Sequence, residues 1–314
     1  MRIGVEQQRA GLQFDQFLSE ASRVRLRRGL TGLWIASILG VLGVAVHMTV
    51  FGGVDVPQIR EDRTFADYLI PTGLSFMSQY VDATLGMGYG TTLTALLVLL
   101  GFPVRQVVFA VLLQQLAAGG VASLFHHIFG NADLRPGRFH FRLALLLGGV
   151  AIIGSFLAAT LAASMTEIAV DTALGGVIIA MGIVIFVARR IHLRFSWWRA
   201  GLLGLIAGAN KGFMGGGYGP MVVAGQTVVG DSMRHAVAVT ALSESLSCVG
   251  GVAGYLVMGV PMPWLLTGAL LVGGIFASVF AAATIRSLPQ GALKSVVGAM
   301  YLILGGLTLW EALV

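Results

Sequence analysis

The sequence predicts an all-α integral membrane protein. It would be an inverted repeat of two helical halves, each opening with a broken or re-entrant hairpin, with one extra N-terminal helix. Three observations predict this. The chain of 314 residues is 56% apolar and only 11% charged, with a mean hydropathy of +0.86. A soluble domain carries roughly 25% charged residues, so this chain cannot cover a water-facing surface. Its apolar runs are long and unbroken, which selects helices over the short alternating strands of a barrel. Finally, a glycine-rich break occurs twice inside apolar sequence, GMGYG at 86–90 and GGGYG at 215–219.

The elements follow in order. Residues 1–29 are polar and basic and read as a cytoplasmic N-terminal segment. Residues 30–51 form the extra transmembrane helix. Their run exceeds the roughly 7–15 apolar residues of a signal peptide, and AVH at 45–47 is a poor cleavage site. Residues 52–68 carry Asp55, Arg60, Glu61, Asp62, Arg63 and Asp67 and read as an external loop. The first repeat takes 69–190, with apolar runs at 69–101, 104–128, 140–163 and 168–188. The second, inverted repeat takes 191–314, with runs at 200–229, 235–259, 264–285 and 291–313.

Loop charge gives the topology. The net charge of +6 comes with arginines beside apolar runs, at 23–28, 135–142 and 189–199. That is the pattern of cytoplasmic loops, and it argues against a nucleic-acid partner. The N-terminus, the loop 131–142 and the loop after 188 then lie inside, and the link near Glu167 lies outside. Runs 69–101 and 200–229 must each enter and leave on one face. Each holds only about 30 residues, too few for two spans of about 20. They read as hairpins from opposite faces, whose irregular backbone is tolerated only where protein or a water-filled cavity surrounds it. Helices are expected to restart at Thr91 and Pro220.

A shift of 129 residues (86 to 215) aligns Gly86, Gly88, Tyr89 and Gly90 with Gly215, Gly217, Tyr218 and Gly219. It also aligns Gly101 with Gly230, Arg105 with Arg234, Asp82 with Lys211 and Gln115 with Glu244. A re-entrant hairpin plus three crossings is an odd number of spans, so the second copy would be inverted. Inverted repeats with broken helices are a common plan of secondary transporters.

Segments DATLGMGYGTTLTALLVLLGFP (82–103) and GANKGFMGGGYGPMVVAGQ (208–226) resemble the paired signatures of the TauE/SafE-type sulfite exporter family. The resemblance covers roughly 68–314. It implies movement of sulfite, sulfonates and related small anions across bacterial membranes. It therefore implies a multi-pass protein of the bacterial inner membrane, in contact with lipid and free to form a homo-oligomer.

The candidate substrate-binding residues are Lys211, Asn210, Gly88, Tyr89, Gly90, Thr91, Thr92, Gly217, Tyr218 and Gly219. A charge near the bilayer centre costs roughly 2.5–3.5 kcal/mol on insertion scales, which makes Lys211 a functional candidate. It is either an anion ligand or an ion-pair partner of Asp82. The glycine breaks offer helix starts with unpaired N–H groups and positive dipole, which suit an anion. Equally, small residues favour close helix packing. Asp82, Glu244 and Gln115 are candidates for coupling or ion pairing. Asp82 could carry a proton, bind a cation or serve Lys211. Glu244 is the better proton-coupling candidate, set against plain interhelical hydrogen bonding.

His126 and His127 are adjacent, so on a helix they diverge by about 100° and do not form a ligand pair. They read as interface packing. Cys248 reads as small helix packing, and Trp197 and Trp198 as an interface anchor. No metal site and no cofactor is expected. The function this supports is a secondary carrier exporting a small sulfur-containing oxyanion by alternating access at a midplane site. The alternatives are an anion channel or a carrier for another small organic anion. An intramembrane enzyme would need a catalytic constellation that the sequence does not offer.

Overall fold

The computed structural model describes residues 65–166 and 194–285, plus isolated helical positions within 32–40 and 169–183 and at 303. The N-terminal segment, most of the expected first helix and external loop, and the runs at 168–188 and 291–313 lie largely outside the described residues. The described chain is helical. After a 3-10 turn at Phe65–Tyr68 come α1 (Leu69–Leu85), α2 (Tyr89–Leu99), α3 (Val104–Ile128) and α4 (Phe139–Ser164). The second half gives α5 (Trp197–Met214), α6 (Tyr218–Val228), α7 (Met233–Val257) and α8 (Trp264–Thr284). Among the described residues, α3, α4, α7 and α8 are long and apolar enough to cross a membrane.

The two broken runs divide where glycine takes backbone angles closed to other residues. Gly86 (φ 69°) ends α1 in the left-handed region, with its N–H donating to the Asp82 carbonyl. Gly215 (φ 72°) ends α5 in the same way, with its N–H donating to the Lys211 carbonyl. A left-handed glycine is the ordinary terminator of a helix because it carries no Cβ to clash. Gly88 and Gly217 also have positive φ, so Tyr89 and Tyr218 are the first residues after the break to take helical angles. The expected restarts at Thr91 and Pro220 are therefore each two residues late. Positive-φ glycines at 101 and 130 likewise recur at 230 and 259, the same shift of 129.

Close contacts fix the helix directions. Gly204, Gly208 and Gly212 of α5 meet Leu147, Ala151 and Ser155 of α4 in ascending order, so these helices are parallel. A Cβ on Gly212 would lie 1.9 Å from the Ser155 carbonyl oxygen. Small residues at every fourth position bring two helical backbones this close. Gly250 meets Ile152 and Gly254 meets Ala159, so α7 is parallel to α4 as well. On the other side, Ser75 donates to the Leu270 carbonyl (2.7 Å) and Tyr80 bonds Thr284 (2.7 Å), which aligns α1 with α8. Ser278 donates to the Ala118 carbonyl (3.2 Å) and Gly274 meets Gln114, which aligns α8 with α3.

By contrast, α3 and α7 are antiparallel. Leu112 meets Gly251, the Leu116 carbonyl accepts from Ser245, and Gly119 meets Ala241. Helices α1, α3 and α8 thus run one way, and α4, α5 and α7 the other. Among the described helices, three counterpart pairs are opposed: α1 and α5, α3 and α7, α4 and α8. Because α1 and α3 start at one end of the bundle and α2 leads straight into α3, the first hairpin enters and leaves at that end. The second hairpin does so at the opposite end.

Candidate functional site

The two breaks meet each other directly. A Cβ on Gly90 would lie 1.9 Å from the Gly215 carbonyl oxygen, and one on Gly219 would lie 2.2 Å from the Gly86 carbonyl oxygen. Gly216 fits against the backbone nitrogen of Thr91 in the same way. Thr94 Oγ1 adds a bond to the Met214 carbonyl (3.2 Å). Gly90, Gly216 and Gly219 therefore let two chain breaks cross without side chains between them, while Gly88 and Gly217 supply the positive φ of the breaks themselves.

A buried polar network lies beside the crossing. Lys211 is 0% exposed, and its Nζ donates to Glu244 Oε1 (2.8 Å) and to Gln115 Oε1 (3.1 Å). The Gln115 amide passes the connection on. Its Nε2 donates to Asp82 Oδ2 (3.5 Å) and to Gln79 Oε1 (3.3 Å), and Gln79 also accepts from Gln114 (3.2 Å). Asp82 Oδ1 accepts from the Tyr89 backbone N–H (3.1 Å). Of the two roles foreseen for Lys211, the ion pair with Asp82 is not made directly: the lysine pairs with Glu244 and reaches Asp82 through Gln115. The reason is geometric: the 129-residue shift relates Asp82 to Lys211 by symmetry, whereas α7 carries Glu244 to the lysine.

The two helix starts are not equivalent. At α2 the protein's own Asp82 carboxylate occupies the positive end of the helix, where an anion is favoured. At α6 the corresponding position is Lys211, so that break brings a cation instead. Thr91 and Thr92 are buried, and their hydroxyls have no hydrogen-bond partner among the described residues. Buried polar groups are ordinarily satisfied, which makes these two, among twelve such side-chain atoms in the described residues, candidates to contact a ligand or water. Tyr89 and Tyr218 are fully buried, and the Tyr89 hydroxyl bonds Ser75 (3.0 Å). Asn210 turns away, its amide directed to the Met221 sulfur at 3.0 Å.

The space at the centre is small. A cavity of about 10 Å³ is bounded by Gln79, Asp82, Gln115, Val237 and Glu244. That is room for about one water. A larger cavity of about 310 Å³ lies among Leu147, Arg199, Leu203, Met221 and Gln226. Its exposed wall is mostly carbon, although Arg194, Ser196, Arg199 and Gln226 border it, and it shares no lining residue with the polar centre. The polar centre is the better candidate despite its size.

Three features escaped the sequence reading. Gln79 lies three residues before Asp82, hence on the same helical face, and that spacing could have revealed it. His126 is not an interface residue: it is fully buried, with Nε2 on the Ala83 carbonyl (2.8 Å) and Nδ1 on Asn131 (2.9 Å). Asn131 in turn donates to the Ala282 carbonyl (2.9 Å), tying the end of α3 to α8. The third feature is a cluster of His140, Asp231 and His235, drawn from α4 and from the α6–α7 link and α7. Burial alone would raise the Asp231 carboxyl, but the two imidazoles outweigh it and hold the group well below the usual carboxylate range.

A helical membrane protein in which two broken hairpins cross over a buried ionic network belongs, by fold and site, to the class of membrane transporters. The sulfite exporter TauE/SafE family profile matches residues 72–308, and the chain belongs to that family. Probable membrane transporter protein YtnM of Bacillus subtilis (strain 168) is 27% identical over 255 residues, 75% of this chain and 80% of that protein. Probable membrane transporter protein YdhB of the same organism is 27% identical over 173 residues, 52% of this chain and 70% of that protein. No solved structure matches.

Proposed function

We propose that this transporter is a secondary carrier that exports a small sulfur-containing oxyanion, such as sulfite or a sulfonate, across the bacterial inner membrane by alternating access. The observation that carries the reading is the buried Lys211, held by Glu244 and Gln115 beside two crossing glycine breaks. The opposed directions of the counterpart helices support an inverted repeat, with 69–190 and 191–314 entering the membrane from opposite faces and the N-terminus in the cytoplasm. The positive-inside distribution of arginine supports the same orientation.

In this reading Lys211, the start of α6 and the unpartnered Thr91 and Thr92 hydroxyls form the anion site. The anion replaces Glu244 at the ammonium. Inside-negative potential favours anion exit by about 2.3 kcal/mol per charge per 100 mV. A central cavity the size of one water fits an occluded carrier state better than an open anion channel.

The test is counterflow in proteoliposomes preloaded with sulfite, thiosulfate, taurine or simple carboxylates. A carrier accumulates labelled substrate transiently against the preload, and Lys211→Gln abolishes it. Equal counterflow by the folded variant would remove Lys211 from the site. Flux without transient accumulation would make the protein a channel.

A further inference from the structure

We propose that His140, Asp231 and His235 form a binding site for a divalent transition metal of the zinc class, at the end of the bundle where the second hairpin leaves. His140 Nε2 lies 3.4 Å from Asp231 Oδ2, and His235 Nδ1 lies 2.9 Å from Asp231 Oδ1. One donor atom from each of the three residues falls within 4.8 Å of the others. A tetrahedral zinc with bonds of about 2.0–2.1 Å sets its ligand atoms about 3.4 Å apart. Two of the three spacings are already within about 0.5 Å of that value, and the third needs at most about 1.4 Å of closure.

Two further observations favour a ligand over a simple hydrogen-bonded trio. Asp231 Oδ2 is shut off from water and has no hydrogen bond of proper geometry, although His140 Nε2 is its neighbour. The His140 and His235 rings also lie together, with centroids 4.3 Å apart and planes at 45°, so both nitrogen-bearing edges converge on one carboxylate. Neutral imidazole and carboxylate are ligands that zinc accepts, and three protein ligands leave a fourth position open.

The fold does not require the trio. At the 129-residue shift Asp231 and His235 correspond to Phe102 and Gln106, and the start of α8 places Leu265 opposite His140. The first hairpin turns into α3 without any such cluster. A bound ion would join the start of α4 to the α6–α7 link and so restrain the mouth of one hairpin only.

The experiment uses the full-length protein in detergent, with any affinity tag removed and metal stripped, titrated with zinc against a chromophoric chelator. One equivalent of zinc is expected, weakened by more than about tenfold in His140→Gln/His235→Gln, since even outer-shell changes cost 10–100-fold at metal sites. Cobalt on the unaltered protein gives a second reading that does not depend on a variant folding: a tetrahedral visible band without a sulfur-to-metal charge-transfer band. Zinc binding unchanged in the double variant, or neither zinc nor a cobalt band in the wild type, overturns the proposal.

Discussion

Gly90→Ala tests the crossing of the two hairpins. Gly90 lies in the first turn of α2 with ordinary helical angles, so alanine there is locally favourable by roughly 0.5–1 kcal/mol. Any loss must come from the contact across the break. The new Cβ would lie 1.9 Å from the Gly215 carbonyl oxygen, 2.6 Å from Gly216 Cα and 2.7 Å from the Gly215 carbonyl carbon. Ordinary contact begins near 3.4 Å, so one hairpin must recede by the difference, about 1.5 Å. The atoms met are backbone, held by the left-handed glycine behind them, and cannot rotate aside. Overpacking of this kind costs about 1–3 kcal/mol, and the rigidity of both sides places this case at the upper end. By ordinary scaling for a chain of 314 residues that lowers Tm by about 4–5 °C. Gly149→Ala is the control, because nothing lies within 4 Å of its added Cβ. Thermal unfolding in detergent, followed by counterflow, reads both effects. The expected outcome is a lower Tm and at least tenfold slower transport for Gly90→Ala, with Gly149→Ala unchanged or slightly more stable. A Gly90→Ala protein as stable and active as wild type would mean that the breaks do not touch.

Lys211→Gln should lower stability by about 3–5 kcal/mol because it strands Glu244 in the interior, whereas Lys211→Gln/Glu244→Gln should recover most of that stability without recovering transport; a thermal double-mutant cycle separates the two effects. Glu244→Gln should tighten methanesulfonate binding in a calorimetric titration, because the anion no longer has to displace a carboxylate from Lys211, and unchanged or weaker binding would count against that displacement. Single cysteines replacing Pro103 and Ser232 should react with an impermeant maleimide from opposite sides of the membrane, and labelling of both from one side would refute the opposed hairpins.

Much of the scaffold was legible in the sequence. Helix α3 occupies the apolar run 104–128 residue for residue, because both ends are set by local chemistry: Pro103 before it and Gly130 just after it. The two breaks were legible because only glycine satisfies Gly86, Gly88, Gly215 and Gly217. Partners across helices were not. Repeat arithmetic finds residues related by symmetry, and it paired Lys211 with Asp82. Which groups touch depends on how α7 rotates against α5, and that rotation brings Glu244 to the lysine. His140, Asp231 and His235 come from two separate stretches of chain and leave no spacing motif. The room between the breaks was also invisible, since it depends on backbones approaching to contact distance.

The pairing of α1 with α8 has a consequence for biosynthesis. Ser75 bonds Leu270, a partner 195 residues later in the chain. At roughly 5–20 residues per second, ribosomes deliver that partner about 10–40 s after Ser75 itself. For most of that interval the first hairpin, with Gln79 and Asp82 buried in the finished protein, has neither α8 nor α7 to cover it. The nascent chain must therefore be kept in a polar or chaperoned setting at the insertion machinery, and the first half can reach its final packing only after α8 has been made.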